Sequence, residues 1–99
     1  MITLRDDFDA IAAILGETFR LPPLKRNYDE AFGKIAGILY HHGISENPRN
    51  LRFRFILCMQ EFFDDIPQDK WRINDPVFVK QSEDFAIARF RLWVMEQIT

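Results

Sequence analysis

The chain has 99 residues, 47% hydrophobic and 28% charged, with a net charge of -2 and a pI near 5.6. That length supports one hydrophobic core rather than two, so a single domain over residues 1-99 is expected, and the composition excludes a disordered chain. The charge balance argues against a nucleic-acid binder, which usually carries a basic surplus, and no apolar run approaches the ~18 residues that a membrane span needs.

The first predicted helix runs from Thr3 to Arg20. Leu4, Phe8, Ile11, Leu15 and Phe19 recur at three- and four-residue steps. Thr3 is the expected N-cap, and Asp6, Asp7 and Asp9 suit the positive end of the helix dipole. Leu21-Pro22-Pro23 ends the segment, because residues before proline avoid the α region. The opening stretch has no basic region leading into a long apolar run, so a secretory signal is not expected and a cytoplasmic setting is the default.

A second helix is expected from Asn27, which stands three residues before Glu30 in capping-box spacing. Ala31, Ile35 and Leu39 form its stripe, with Phe32 and Ile38 alongside. Gly33 and Gly37 share a face and would let another helix approach closely. Gly43 suits the residue just past the helix end.

The third helix should open at Asn47-Pro48, with asparagine as cap and proline in the first turn, and end before Pro67. Leu51, Phe55, Cys58, Met59, Phe62 and Ile66 cover one face, while Phe53 and Leu57 point elsewhere. Apolar positions on two sides predict a central place in the bundle. Phe55, Met59 and Phe62 are expected in the core with Phe8 and Phe85.

Residues 67–76 read as a connector holding Trp71 and Ile73, with Asp75-Pro76 opening a short helical turn. Ser82, followed by Glu83 and Asp84, reads as the N-terminus of a last helix to about Gln97, apolar nearly all round. The expected fold is therefore an all-α bundle of four main helices plus a short connector element. The alternative is an α+β fold. Residues 51–55 and 88–92 alternate arginine with apolar residues, as a half-buried strand does, and a two-stranded ribbon would then form from residues 51-57 and 88-94.

Few residue groups point to chemistry. His41 and His42 are adjacent, and on a helix their side chains diverge too far to chelate one metal. Cys58 is the sole cysteine. It fits a reducing compartment, lies on an apolar face and reads as a small hydrophobe. Gly43-Ile44-Ser45 suggests a helix-turn-helix joint, but the turn continues through Glu46, Asn47 and Pro48 and is too long. No phosphate loop, nucleophile elbow, zinc-protease or paired-cysteine motif occurs. No catalytic, cofactor-binding or metal-binding residue is assigned, and an enzyme is not expected.

Glu61, Asp64, Asp65 and Asp69 cluster where the third helix ends, a placement that opposes its dipole. Phe53, Leu57, Glu61 and Asp64 follow at four- and three-residue steps, giving a face that grades from aromatic to acidic. These residues, Phe53, Leu57, Glu61, Asp64, Asp65 and Asp69, form the candidate partner-binding patch. The expected function is stoichiometric protein binding, of the immunity-protein or antitoxin type, by occlusion of a basic partner such as a nuclease toxin. The alternatives are a subunit, chaperone or homo-oligomer that buries aromatic surface against another chain, and a nucleic-acid-binding regulator.

Overall fold

The computed structural model describes residues 4–98, with side chains from residue 6 onward. The expected cap at Thr3 and the burial of Leu4 lie outside what is described. Four α-helices follow one another: α1 Leu4–Arg20, α2 Tyr28–His41, α3 Pro48–Asp64 and α4 Pro76–Ile98. Two short 3₁₀ turns, Pro23–Lys25 and Gln68–Lys70, lie in the first and third connections. Among the described residues there is no strand, and the all-α reading holds.

The local signals explain most helix ends. Asn27 Oδ1 accepts the Glu30 N–H at 3.0 Å, and its Nδ2 donates to Glu30 Oε2 at 3.3 Å. Asn47 Oδ1 accepts the Asn50 N–H at 2.8 Å ahead of Pro48. Past the end of α2, Gly43 takes φ +80°, where a side chain would be strained. The Ile44 N–H then donates to Leu39 O and the Gly43 N–H to Tyr40 O, a Schellman closure. Ile44 completes it by packing against the core.

The helices form a ring in which each packs on two neighbours: α1 on α2, α2 on α3, α3 on α4 and α4 on α1. Successive helices run antiparallel. Asp7 of α1 meets His42 at one end of the α1–α2 pair, and Phe19 packs on Tyr28 at the other. The core comprises Phe8, Ile11 and Leu15 from α1, Phe32, Ile35 and Leu39 from α2, Leu51, Phe55 and Cys58 from α3, and Ala86, Phe90 and Val94 from α4. Phe55 sits at its centre, stacked on Phe19 at 4.9 Å and edge-on to Phe90 at 5.9 Å. The third helix is thus a corner of the ring and not its axis. Its second apolar side faces outward.

The alternating stretches are helical for a specific reason. Two arginines two residues apart on a helix project to opposite flanks, and each flank of a corner helix borders a different neighbour. Arg52 lies over the Tyr28 ring at 4.5 Å, while Arg54 lies over Trp93 at 5.1 Å. Arg89 reaches Glu61 on α3 at 2.9 Å, and Arg91 reaches Asp9 on α1 at 3.3 Å. Phe53, between the first pair, faces solvent; Phe90, between the second, is buried.

Three other expectations are corrected. The last helix starts at Pro76 and not at Ser82: Asp75 Oδ1 accepts the Val77 N–H at 2.9 Å, and Ser82 is a buried mid-helix residue donating back to Val79 O at 2.6 Å. Phe78, Ser82, Ala86, Phe90 and Val94 make its buried stripe at every fourth position. Ile87, Trp93 and Met95 flank this row and pack against the core as well, which accounts for apolar residues on several sides of α4. Gly33 and Gly37 serve no close approach, since nothing lies within 4 Å of a Cβ placed at either. Phe62 and Phe85 are both outside the core, Phe62 half-buried and Phe85 at its exposed margin.

Beyond the ring the α3–α4 pair overhangs. α1 is tied near its end to Glu83, reached through Arg26, whereas α4 starts seven residues earlier, or roughly 10 Å at 1.5 Å per residue. The molecule is accordingly elongated, 46 × 28 × 23 Å. Phe62, Phe63, Phe78 and Phe85 fill the overhang, with Phe62 within 5.5–5.6 Å of the other three rings. Trp71 closes it, edge-on to Phe63 at 5.2 Å, its indole N–H donating to Ile66 O at 2.9 Å and Phe63 O at 3.2 Å. A side chain from the connector thus bonds the Ile66 carbonyl and shares the Phe63 carbonyl with the Ile66 N–H at the end of α3.

Candidate functional site

The expected patch divides into two parts. Phe53, Leu57, Glu61 and Asp64 do share the outer side of α3, as helical spacing requires. Phe53 is 61% exposed and Leu57 half-buried. Glu61 is turned toward α4 and engaged by Arg89, whose Nε donates to Glu61 Oε2 at 2.9 Å. This bond, and then the carboxylate charge, raise the Arg89 guanidinium further above its ordinary value. Asp65 is the C-cap of α3 and Asp69 lies in the 3₁₀ turn beyond. Both are exposed, and neither they nor Asp64 form an ion pair among the described residues.

Sequence reasoning missed an apolar groove beside this patch. Ile56, Met59 and Phe63 follow at three- and four-residue steps along one flank of α3. Trp71 and Ile73 of the connector face them across a cavity of about 290 Å³, with Gln60 and Asp64 at its rim. Ile56 is 51% exposed and Ile73 64%. The signal was present in the sequence as two large apolar residues in a ten-residue connector that supplies no core stripe. Exposed apolar groups gathered in one place mark contact surfaces, whereas scattered ones do not. Asp64, Asp65, Asp69 and Asp75 outnumber Lys70 and Arg72 in this end of the molecule.

No family model, curated protein or solved structure matches this chain. The reading of the site therefore rests on its own chemistry.

The remaining reactive groups have structural surroundings. Cys58 is buried in the core, and its thiol is pushed above the ordinary thiol range by burial first and the Glu61 carboxylate second, against the opposing pull of Arg89 and Arg54. A protonated, enclosed thiol is a poor nucleophile. His42 Nε2 meets Asp7 Oδ2 and ties α1 to the end of α2, while His41 is exposed. Among the described residues no three His, Cys, Asp or Glu side chains converge where they could hold a metal ion, and no helix is long and apolar enough to cross a membrane.

Proposed function

We propose that this chain is a non-enzymatic protein-binding domain of the immunity or antitoxin type, which occludes a basic partner protein. The observation that carries the reading is the groove of Ile56, Met59, Phe63, Trp71 and Ile73 with Asp64 on its rim. An apolar recess takes an anchor side chain from a partner, and the hydrophobic contact supplies the affinity. Carboxylates at Asp64, Asp65 and Asp69 steer a basic surface toward it and reject acidic ones. The partner is then a protein whose own basic site is covered, with no bond made or broken. The buried, protonated state of Cys58 is compatible with the reducing, cytoplasmic setting such an inhibitor would occupy.

The test places a photo-cross-linking residue at Ile73 and, as a control on α1 away from this surface, at Glu17, and illuminates the native lysate. A basic protein should be captured from position 73 and not from position 17, in a yield that falls steeply when Asp65 and Asp69 are changed to lysine. Equal capture from both positions, or a yield indifferent to the charge reversal, would overturn the proposal.

A further inference from the structure

The outer side of α3 is complementary to itself about a two-fold axis through its midpoint. Arg49, Phe53, Leu57, Gln60 and Asp64 follow at four- and three-residue steps and so share one face, with Ile56 three residues after Phe53 beside them. Arg49 and Asp64 stand at its two ends, equally far from the Ile56–Leu57 midpoint, roughly 11 Å on either side at 1.5 Å per residue. Both are exposed and neither forms an ion pair among the described residues. Between them the surface carries no charge and is apolar at Phe53, Ile56 and Leu57. The neighbouring arginines leave it clear, because Arg52 is laid against Tyr28 and Arg54 against Trp93, so that Phe53 rather than a charge stands outward.

We propose that this face binds a second copy of the chain, α3 against α3 and antiparallel. A face with a cation at one end, an anion at the other and an uncharged, mainly apolar middle is complementary to itself when turned by 180°, as the shared surface of a two-fold dimer must be. The register follows from the spacing. Ile56 of one copy meets Leu57 of the other at the axis, Phe53 packs over Gln60, and each Arg49 pairs with the opposite Asp64. A parallel arrangement would set like charges against each other at both ends. The inference goes beyond the inhibitor reading, since it needs no other protein; it takes Ile56 and Asp64 from the groove, so a second copy and a groove-bound partner exclude each other, while Asp65, Asp69, Trp71 and Ile73 stay uninvolved.

The test is sedimentation equilibrium of the purified chain and two reversals, Arg49→Asp and Asp64→Arg. The wild type should dimerise reversibly, and more weakly as salt rises. Each reversal alone places like charges at both ends and should raise the dimer dissociation constant about tenfold or more. Mixing the two variants makes both end pairs opposite in sign again, so the mixture should dimerise where neither component does. Ile56→Glu should abolish association while circular dichroism stays unchanged. A wild type that remains monomeric at the highest attainable concentration, or a mixture that associates no better than its components, overturns the proposal.

Discussion

The Arg26 guanidinium lies 3.0 Å from the Glu83 carboxylate, and the two side chains are only 9% and 12% exposed. Arg26 belongs to the α1–α2 connection, yet it also donates to Leu21 O at 2.8 Å and to Phe19 O at 3.1 Å, and it covers the Phe19 ring at 4.7 Å. One side chain therefore caps the end of α1 and fixes it to α4 at the level where the overhang begins.

Removing one member of such a pair leaves the other charge desolvated and unpaired. Arg26→Ala should lower stability by about 3–5 kcal/mol. The double variant Arg26→Met, Glu83→Leu should recover much of that loss, because no charge then remains buried. Urea denaturation of both proteins checks this, and a double variant as unstable as the single one would show that the capping bonds to Leu21 and Phe19 outweigh the ion pair.

The two aromatic clusters should differ in weight. Phe90 is fully buried among Phe32, Phe55 and Trp93, and Phe90→Ala should cost about 3–5 kcal/mol. Phe62 belongs to the half-buried overhang, so Phe62→Ala should cost roughly 2 kcal/mol, in line with partial burial. Hydrogen exchange should show Phe62→Ala speeding the last turn of α3 and the first turns of α4 while leaving α1 and α2 slow.

Gly33 and Gly37 occupy ordinary helical backbone with open space where a Cβ would stand. Each change to alanine should raise stability by about 0.5–1 kcal/mol, since it removes backbone freedom from the unfolded chain and touches nothing in the folded one. Thermal melts provide the measurement. A loss at either position would show that the added methyl meets a neighbour after all.

Cys58 gives a pH dependence with a definite sign. Its folded thiol is held above the ordinary range by burial, so the unfolded chain ionises first as pH rises. The folded state then binds more protons than the unfolded one, and stability falls with pH. The contribution is fully present below the ordinary thiol range of about 8.5 and is lost as pH climbs toward the higher folded value. Urea midpoints between neutral and alkaline pH should therefore drop less for Cys58→Ala than for the wild type. Parallel curves would show that the thiol titrates alike in both states.

Much of the fold is legible in the sequence. Asn27 with Glu30, Asn47-Pro48 and Gly43 act within one helical turn, so their effect does not depend on what packs nearby. The same locality misled at Ser82, where a serine followed by two acids imitates a helix start. Position 82 falls on the buried row of α4, and the hydroxyl bonds within the helix. The candidate patch was half legible. Spacing alone puts Phe53, Leu57 and Asp64 on one side of α3, but it does not reveal that Glu61 is held by Arg89, twenty-eight residues away.

By itself the sequence determined the first three helices and their apolar rows, and the caps of α2 and α3, because these follow from backbone geometry and contacts three or four residues apart. The tertiary structure decided which of the apolar residues remain uncovered. A ring of four helices has room inside for Phe32, Phe55 and Phe90, and none for Phe53 or Ile56. The flank occupied by Met59 and Phe63 became a groove only because the connector folds Trp71 back onto the end of α3. Which aromatic is core and which is surface depends on partners far along the chain, and periodicity carries no record of them.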